Sequence, residues 1–169
     1  MPVPPVAVIL DRELRTLARE IEAYPDERDL WRRPPGIANA AGTLALHLAG
    51  NLQHYVGALL GGTGYVRDRP AEFALRDVPR ETILAEIEAA RAAVRAGASR
   101  LSDALAGAEF PEIVGGVRVN TAEYLIHLVS HLAYHLGQID YHRRVVTQQT
   151  RGVDAVRALE LGSARPVAD

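Results

Sequence analysis

The chain of 169 residues contains no cysteine. Disulfides, cysteine-ligated zinc or iron–sulfur sites and cysteine nucleophiles are therefore excluded. Any transition-metal site has to use His, Asp or Glu, and any thiol chemistry needs a thiol brought by a partner. No apolar run reaches the ~20 residues of a membrane-spanning helix. The start, Met1 to Val6, lacks the basic residues and long apolar core of a secretory leader, so a cytoplasmic location is expected. Excess charge of one sign is missing too: 19 basic residues face 21 acidic ones. That balance gives no general electrostatic reason to bind nucleic acid or an anionic membrane. There is no internal repeat. The run Gly61-Gly62-Thr63-Gly64 lacks the Gly-Lys-Ser/Thr of a phosphate loop and reads as a helix cap and turn.

What is present is a set of amphipathic helices. The length suits one domain with a real core. Leu10, Leu14, Leu17 and Ile21 form the stripe of a first helix over Val6–Tyr24, ended by Pro25. Its charged residues, Glu13 and Glu20 among them, fall largely outside that stripe. A Pro-Pro-Gly loop carrying Trp31 follows, with the tryptophan expected to plug one end of the core. The second helix runs from Ala40 or Thr43 to Leu60, with Leu44, Leu48, Leu52, Tyr55, Val56 and Leu59 on its apolar side. His47 and Asn51 border this stripe, and polar groups inside a leucine-rich helix need a polar reason to be there.

The connection Tyr65–Leu75 alternates charge with apolar residues and reads as a solvated crossover strap. A third helix is expected from Pro79 to about Ala106 on Ile83, Ile87, Ala90, Val94, Leu101 and Leu105, with Gly97 marking a kink or close contact. Ile113–Val119 reads as a small β-hairpin around Gly115-Gly116. Asn120 or Thr121 then caps a fourth helix reaching about Gln148, with Glu123 placed for a capping box. The expected fold is an all-α four-helix bundle over 1–150, up-down-down-up, with a long crossover between the second and third helices. A tail over 151–169 carries at most one short helix.

Chemistry concentrates in the fourth helix. His127, His131 and His135 recur at intervals of four and share one face. Imidazoles at i and i+4 can bind one ion, because their nitrogens converge above one turn. No Glu follows the first histidine, so the H-E-x-x-H protease pattern is absent. A HxxxH pair alone recurs by chance, and a third ligand must come from elsewhere. Spacing leaves the pairs His127/His131 and His131/His135 equally open.

Two stretches carry a family resemblance: Gly42-Thr43-Leu44-Ala45-Leu46-His47-Leu48-Ala49-Gly50-Asn51-Leu52, and His131-Leu132-Ala133-Tyr134-His135-Leu136-Gly137-Gln138-Ile139. Together they resemble the DinB/YfiT-like superfamily of metal-dependent bundle proteins. The loop Trp31–Asn39 and Arg69-Pro70-Ala71-Glu72-Phe73 are similar to one branch of it. The resemblance implies a site of three histidines, one from the second helix and two from the fourth: His47, His131 and His135. His127, Gln138, Asn51 and Tyr134 then support the ligands or line the pocket, while His54 and His142 lie outside the metal's reach. Gly137 would permit close helix approach. Glu72 and Arg69 are available for chemistry but not placed, and no catalytic residue is assigned.

Imidazole ligands favour a divalent transition metal, Zn or Ni first and Fe or Cu next. Three ligands leave a coordination position open, as in catalytic sites. Members of the superfamily include thiol-dependent transferases and isomerases, and some are linked to stress. The expected activity is thus transfer of a low-molecular-weight thiol such as mycothiol or bacillithiol to a small-molecule substrate, in detoxification. A metal-dependent hydrolase of a small ester or amide, and a non-enzymatic metal-binding bundle, are the alternatives. A homodimer is expected from the relatives.

Overall fold

Pro5 opens helix α1 (Pro5–Glu22), where its missing N–H costs nothing and its fixed φ suits the first turn. The structure, a computed structural model, describes residues 4–167; the expectations for residues 1–3 and 168–169 lie outside it. Leu10, Leu14, Leu17 and Ile21 are fully buried, as their period demands. α2 (Ala41–Leu52) is buried at all twelve positions. It continues into a π-helical stretch, Gln53–Ala58, in which Leu59 N–H donates to His54 O at 3.1 Å and Gly61 N–H to Val56 O at 2.9 Å. Glycines bring α4 (Arg80–Arg100) hard against this widened turn. A Cβ on Gly97 would lie 2.6 Å from Val56 Cγ1, and one on Gly57 would lie 2.6 Å from Ala93 Cβ. Gly97 is thus the close contact that its position suggested.

α4 ends earlier than its periodicity predicts. The Ser102 hydroxyl accepts the Leu105 N–H at 3.2 Å and starts the separate short helix α5 (Asp103–Gly107). Serine competes for backbone in this way and favours caps over helix interiors. The long helix α6 (Thr121–Thr147) is capped by Asn120, whose Oδ1 accepts the Ala122 N–H at 2.9 Å. Asn120 Nδ2 also donates to Gly107 O at 2.8 Å, tying the cap to α5. Gln148, at φ 59°, ends the helix in the left-handed region.

α1 and α2 each pack against both α4 and α6, giving a helical bundle with one continuous apolar core. Two expectations are corrected. Among the described residues there is no β-strand: in place of a hairpin ladder there are two isolated antiparallel bridges, Val114 with Val117 across the Gly115-Gly116 turn and Glu109 with Asn120 further out. Ile113 and Val117 are more than half exposed, so there is too little burial to extend a ladder. Nor is the α2–α4 crossover merely a solvated strap. It contains a one-and-a-half-turn helix, α3 (Arg69–Ala74), started by Asp68, whose Oδ1 accepts the Ala71 N–H at 3.0 Å.

The core also holds polar groups that the apolar stripes do not reveal. Arg143 is fully buried and donates to Glu20 at 2.6 Å, to Asp140 at 3.0 Å and to Arg151 O at 3.2 Å. His142 is buried between the Tyr24 hydroxyl (Nδ1, 2.8 Å) and Arg32 O (Nε2, 2.8 Å). Trp31 lies over the N-terminal end of α2 with its indole N–H on Val78 O at 3.3 Å, and its ring fills the space that a Cβ on Gly42 would need. The tail runs back along α1 through Arg19 to Val153 O (3.0 Å) and Arg15 to Glu160 (3.2 Å); its helical part is a single turn, Ala158–Glu160. No described helix is long and apolar enough to cross a membrane.

Candidate metal centre

α2 and α6 face each other, so an inward residue of one helix meets inward residues of the other. His47 from α2 meets His131 and His135, one turn apart on α6. One nitrogen from each ring lies within 4.8 Å of the others. His47 Nε2 and His131 Nε2 are 3.3 Å apart. Two nitrogens bound about 2.0–2.1 Å from one tetrahedral ion stand roughly 3.3–3.4 Å apart, so this spacing fits shared coordination. The rings are nearly perpendicular to one another, at 83°, 87° and 88°, an arrangement compatible with three nitrogens converging on one point.

Hydrogen bonds behind the rings decide which nitrogen is free. His47 Nδ1 lies 2.9 Å from Glu72 Oε2. A carboxylate only accepts, so Nδ1 carries the proton and the Nε2 lone pair points inward. His135 Nδ1 lies 2.7 Å from Gln138 Oε1 and is protonated by the same reasoning. Glu72 is itself gripped by Arg67, Nε to Oε1 at 2.7 Å and Nη2 to Oε2 at 2.8 Å, in a two-point fork. Burial would raise the Glu72 carboxyl; the bonds from His47 and Arg67, with the arginine's charge, outweigh it and hold it below the usual carboxylate range. Phe73 covers His47 from the other side, ring centroids 4.8 Å apart.

Burial, followed by the neighbouring His135, His47 and His127, pushes His131 down from 6.5 to about 4. Burial also lowers His135, partly opposed by its bond to Gln138. Both imidazoles are therefore neutral at pH 7, with lone pairs available to an ion. The donor set, spacing and tautomers together fit a divalent transition metal held by three Nε2 atoms.

The other candidates fall into separate places. Gln138 bonds His135, as above. His127 is exposed and lies outside the cluster, stacked on Tyr124 with centroids 5.5 Å apart. Asn51 is buried one turn from His47, and its Oδ1 has no partner among the described residues. Tyr134 is 66 % exposed and touches the centre only through the edge of His135. His54 bonds Glu112 at 2.9 Å, and His142 is the core residue described above. Arg69 stacks over Phe73 and stays exposed. Gly137 lies on the exposed face of α6 with open space around it, so it mediates no helix approach.

Three residues escaped sequence reasoning in these roles: Glu72, Arg67 and Gly50. A Cβ on Gly50 would overlap Glu72 Oε1, so this glycine is what lets α3 lay its carboxylate behind His47. A signal did exist. Asp68-Arg69-Pro70-Ala71-Glu72 has the cap, early proline and first-turn acid of a helix start. A glycine inside a leucine-rich helix marks a close approach.

An all-helical bundle that gathers three imidazoles around one point fits a metal-binding protein. The chain belongs to the DinB superfamily, whose family model matches residues 9–139. No curated protein matches it.

Proposed function

We propose that this protein is a metal-dependent transferase that joins a low-molecular-weight thiol to a small electrophile. The observation that carries the proposal is the convergence of His47, His131 and His135, with two Nε2 atoms 3.3 Å apart and two tautomers set by Glu72 and Gln138. A divalent transition ion held there, zinc or nickel before iron or copper, would supply Lewis acidity that favours a thiolate near neutral pH. Glu72 keeps the proton on His47 Nδ1, and Arg67 keeps Glu72 ionised and in place. Gln138 does the same for the His135 tautomer. His127, Asn51 and Tyr134 lie around the centre as pocket or outer residues.

Thiol transfer is favoured over hydrolysis because Glu72, the carboxylate bonded to the triad among the described residues, is not free to act as base. Both Glu72 oxygens are occupied by Arg67 and His47. A thiol, with a pKa of about 8.5, needs far less assistance to ionise than water does. The chain has no cysteine, so the thiol is a cosubstrate, mycothiol or bacillithiol in type. Reduced thiols persist in the cytoplasm, so this reading assigns the protein to that compartment, in a detoxification or stress role. The bundle order is up-down-down-up, and a second copy of the chain is the expected partner. α6 offers Ile126, Tyr134, Tyr141 and Val145 on one outward face for it.

The test is to incubate metal-loaded protein with a panel of electrophiles and several small thiols. Consumption of electrophile that requires thiol, and that is lost in His47→Ala, supports transfer. Consumption without thiol replaces it with hydrolysis, and none across the panel leaves a non-enzymatic metal-binding bundle.

A further inference from the structure

The triad stands at one end of a longer file of rings. On α2, His47, Asn51 and Tyr55 follow at intervals of four and share a face. On α6, His131 stacks on His127 with centroids 6.3 Å apart and planes 19° apart, and His127 stacks on Tyr124 at 5.5 Å and 14°. Tyr124 and Tyr55 meet edge to face, 5.2 Å apart, and close the file between the two helices. At that end lies a cavity of about 380 Å³ lined by Tyr55, Tyr124, His127, Glu123, Val117 and Val119. Val114 and Gly115, from the turn before α6, complete its lining. The volume is that of a small-molecule site, and the lining is aromatic and branched aliphatic with few polar groups.

We propose that this cavity holds the uncharged, aromatic or branched apolar body of the electrophile, leaving its reactive end towards His131. A lining of Tyr55, Tyr124, His127, Val114, Val117 and Val119 suits a flat apolar group. Charge selects against an anionic body. Glu123 forms part of the lining, no arginine does, and the nearby Arg67 is committed to Glu72. Only the word electrophile rests on the thiol-transfer proposal above; occupancy of the cavity does not.

The experiment is fluorescence titration of the full chain, with and without zinc, using 2-naphthol as a neutral probe and 2-naphthoate as its anionic counterpart. Ring resonances of His127 and Tyr124 are followed by NMR. Saturable 2-naphthol binding is expected, shifting both rings, with 2-naphthoate about tenfold weaker or worse. Val117→Trp fills the cavity from a position that is 57 % exposed, so the bundle tolerates it. It should weaken 2-naphthol by roughly tenfold or more at unchanged helicity and metal content, whereas Leu159→Trp, exposed in the C-terminal tail, should not. Absence of saturable binding, equal affinity for the two probes, or wild-type binding by Val117→Trp overturns the proposal. The two claims fail separately. Probe binding as described without thiol-dependent turnover removes the transferase and keeps the cavity; thiol-dependent turnover unchanged in Val117→Trp removes the cavity and keeps the transferase.

Discussion

Glu72→Gln is the perturbation that separates a supported metal centre from three histidines that merely meet. Glu72 accepts from His47 Nδ1 and twice from Arg67, and its side chain is only 6 % exposed. Glutamine has the same shape but one acceptor oxygen and no charge. If that oxygen stays on His47, the amide N–H groups face the Arg67 guanidinium, donor against donor. If it turns to Arg67, His47 loses the bond that fixes its tautomer. Either way a buried guanidinium loses its counter-charge, which costs about 3–5 kcal/mol when nothing relaxes. Because Gln restores one hydrogen bond worth roughly 1 kcal/mol or more, a net loss of about 2–3 kcal/mol is expected in urea unfolding of the metal-free protein. Metal affinity should fall about 10- to 100-fold, the usual cost of removing a carboxylate behind a ligating histidine. Competition titration against a chromophoric chelator reads the second number independently of the first. In the double variant with Arg67→Met the stability loss should be partly restored while affinity stays low, because the stranded charge is gone but His47 remains unsupported. Wild-type metal affinity in Glu72→Gln would refute the account of His47.

His47→Ala, His131→Ala and His135→Ala should each lose most bound metal while keeping their far-UV circular dichroism; full metal content in all three would remove the ligand assignment. His142→Ala should keep its metal but lose about 1–3 kcal/mol of stability, since the Tyr24 hydroxyl and Arg32 carbonyl are left unpaired in the core. Gly50→Ala sets opposed effects against each other: alanine improves helix propensity by about 1 kcal/mol, yet its Cβ overlaps Glu72. Metal affinity should drop roughly tenfold with little change in helicity, and a simple stability gain with unchanged affinity would show that α3 does not need the close approach. Acid acts through His131. Its pKa falls from 6.5 to about 4 on folding, so the unfolded chain binds the proton more readily. Stability of the metal-free protein is complete above pH 6.5 and declines as pH falls towards 4, by on the order of 2–3 kcal/mol for this half-buried ring, with His135 and His142 adding in the same direction. Protons displace the metal over roughly the same window, and helix should outlast metal; loss of both together, with no folded metal-free state at neutral pH, would make the ion structural.

How much of this was legible in the chain depends on whether the signal was local. Leu10, Leu14, Leu17 and Ile21 repeat with the helix period, so α1 and its buried face followed directly. The histidine ladder on α6 was equally local, but the period of four could not choose between its two pairs. That choice came from the residues around His135, and Gln138 is now seen to bond that ring. The polar partners were hidden because each lies far away in sequence and in a stretch that resembles surface. Glu72 sits 25 residues from His47 in a segment of alternating charge, where carboxylates are ordinarily solvated. Glu20 looked like the polar face of α1, yet Arg143, 123 residues later, buries it. The hairpin failed for the opposite reason: Gly-Gly between valines is a strong turn signal, but Ile113 and Val117 stay more than half exposed and the pairing stops at isolated bridges.

The central claim is that His47, His131 and His135 hold one metal ion through their Nε2 atoms. Anomalous-scattering data from crystals of the purified protein, collected across the absorption edges of nickel, copper, zinc and iron, test it most directly. One site per chain is predicted, about 2.0–2.2 Å from the three nitrogens, with Glu72 and Gln138 still on the two Nδ1 atoms. A metal bound at His127 or His54 instead, or metal-replete protein with no anomalous density between α2 and α6, would contradict it.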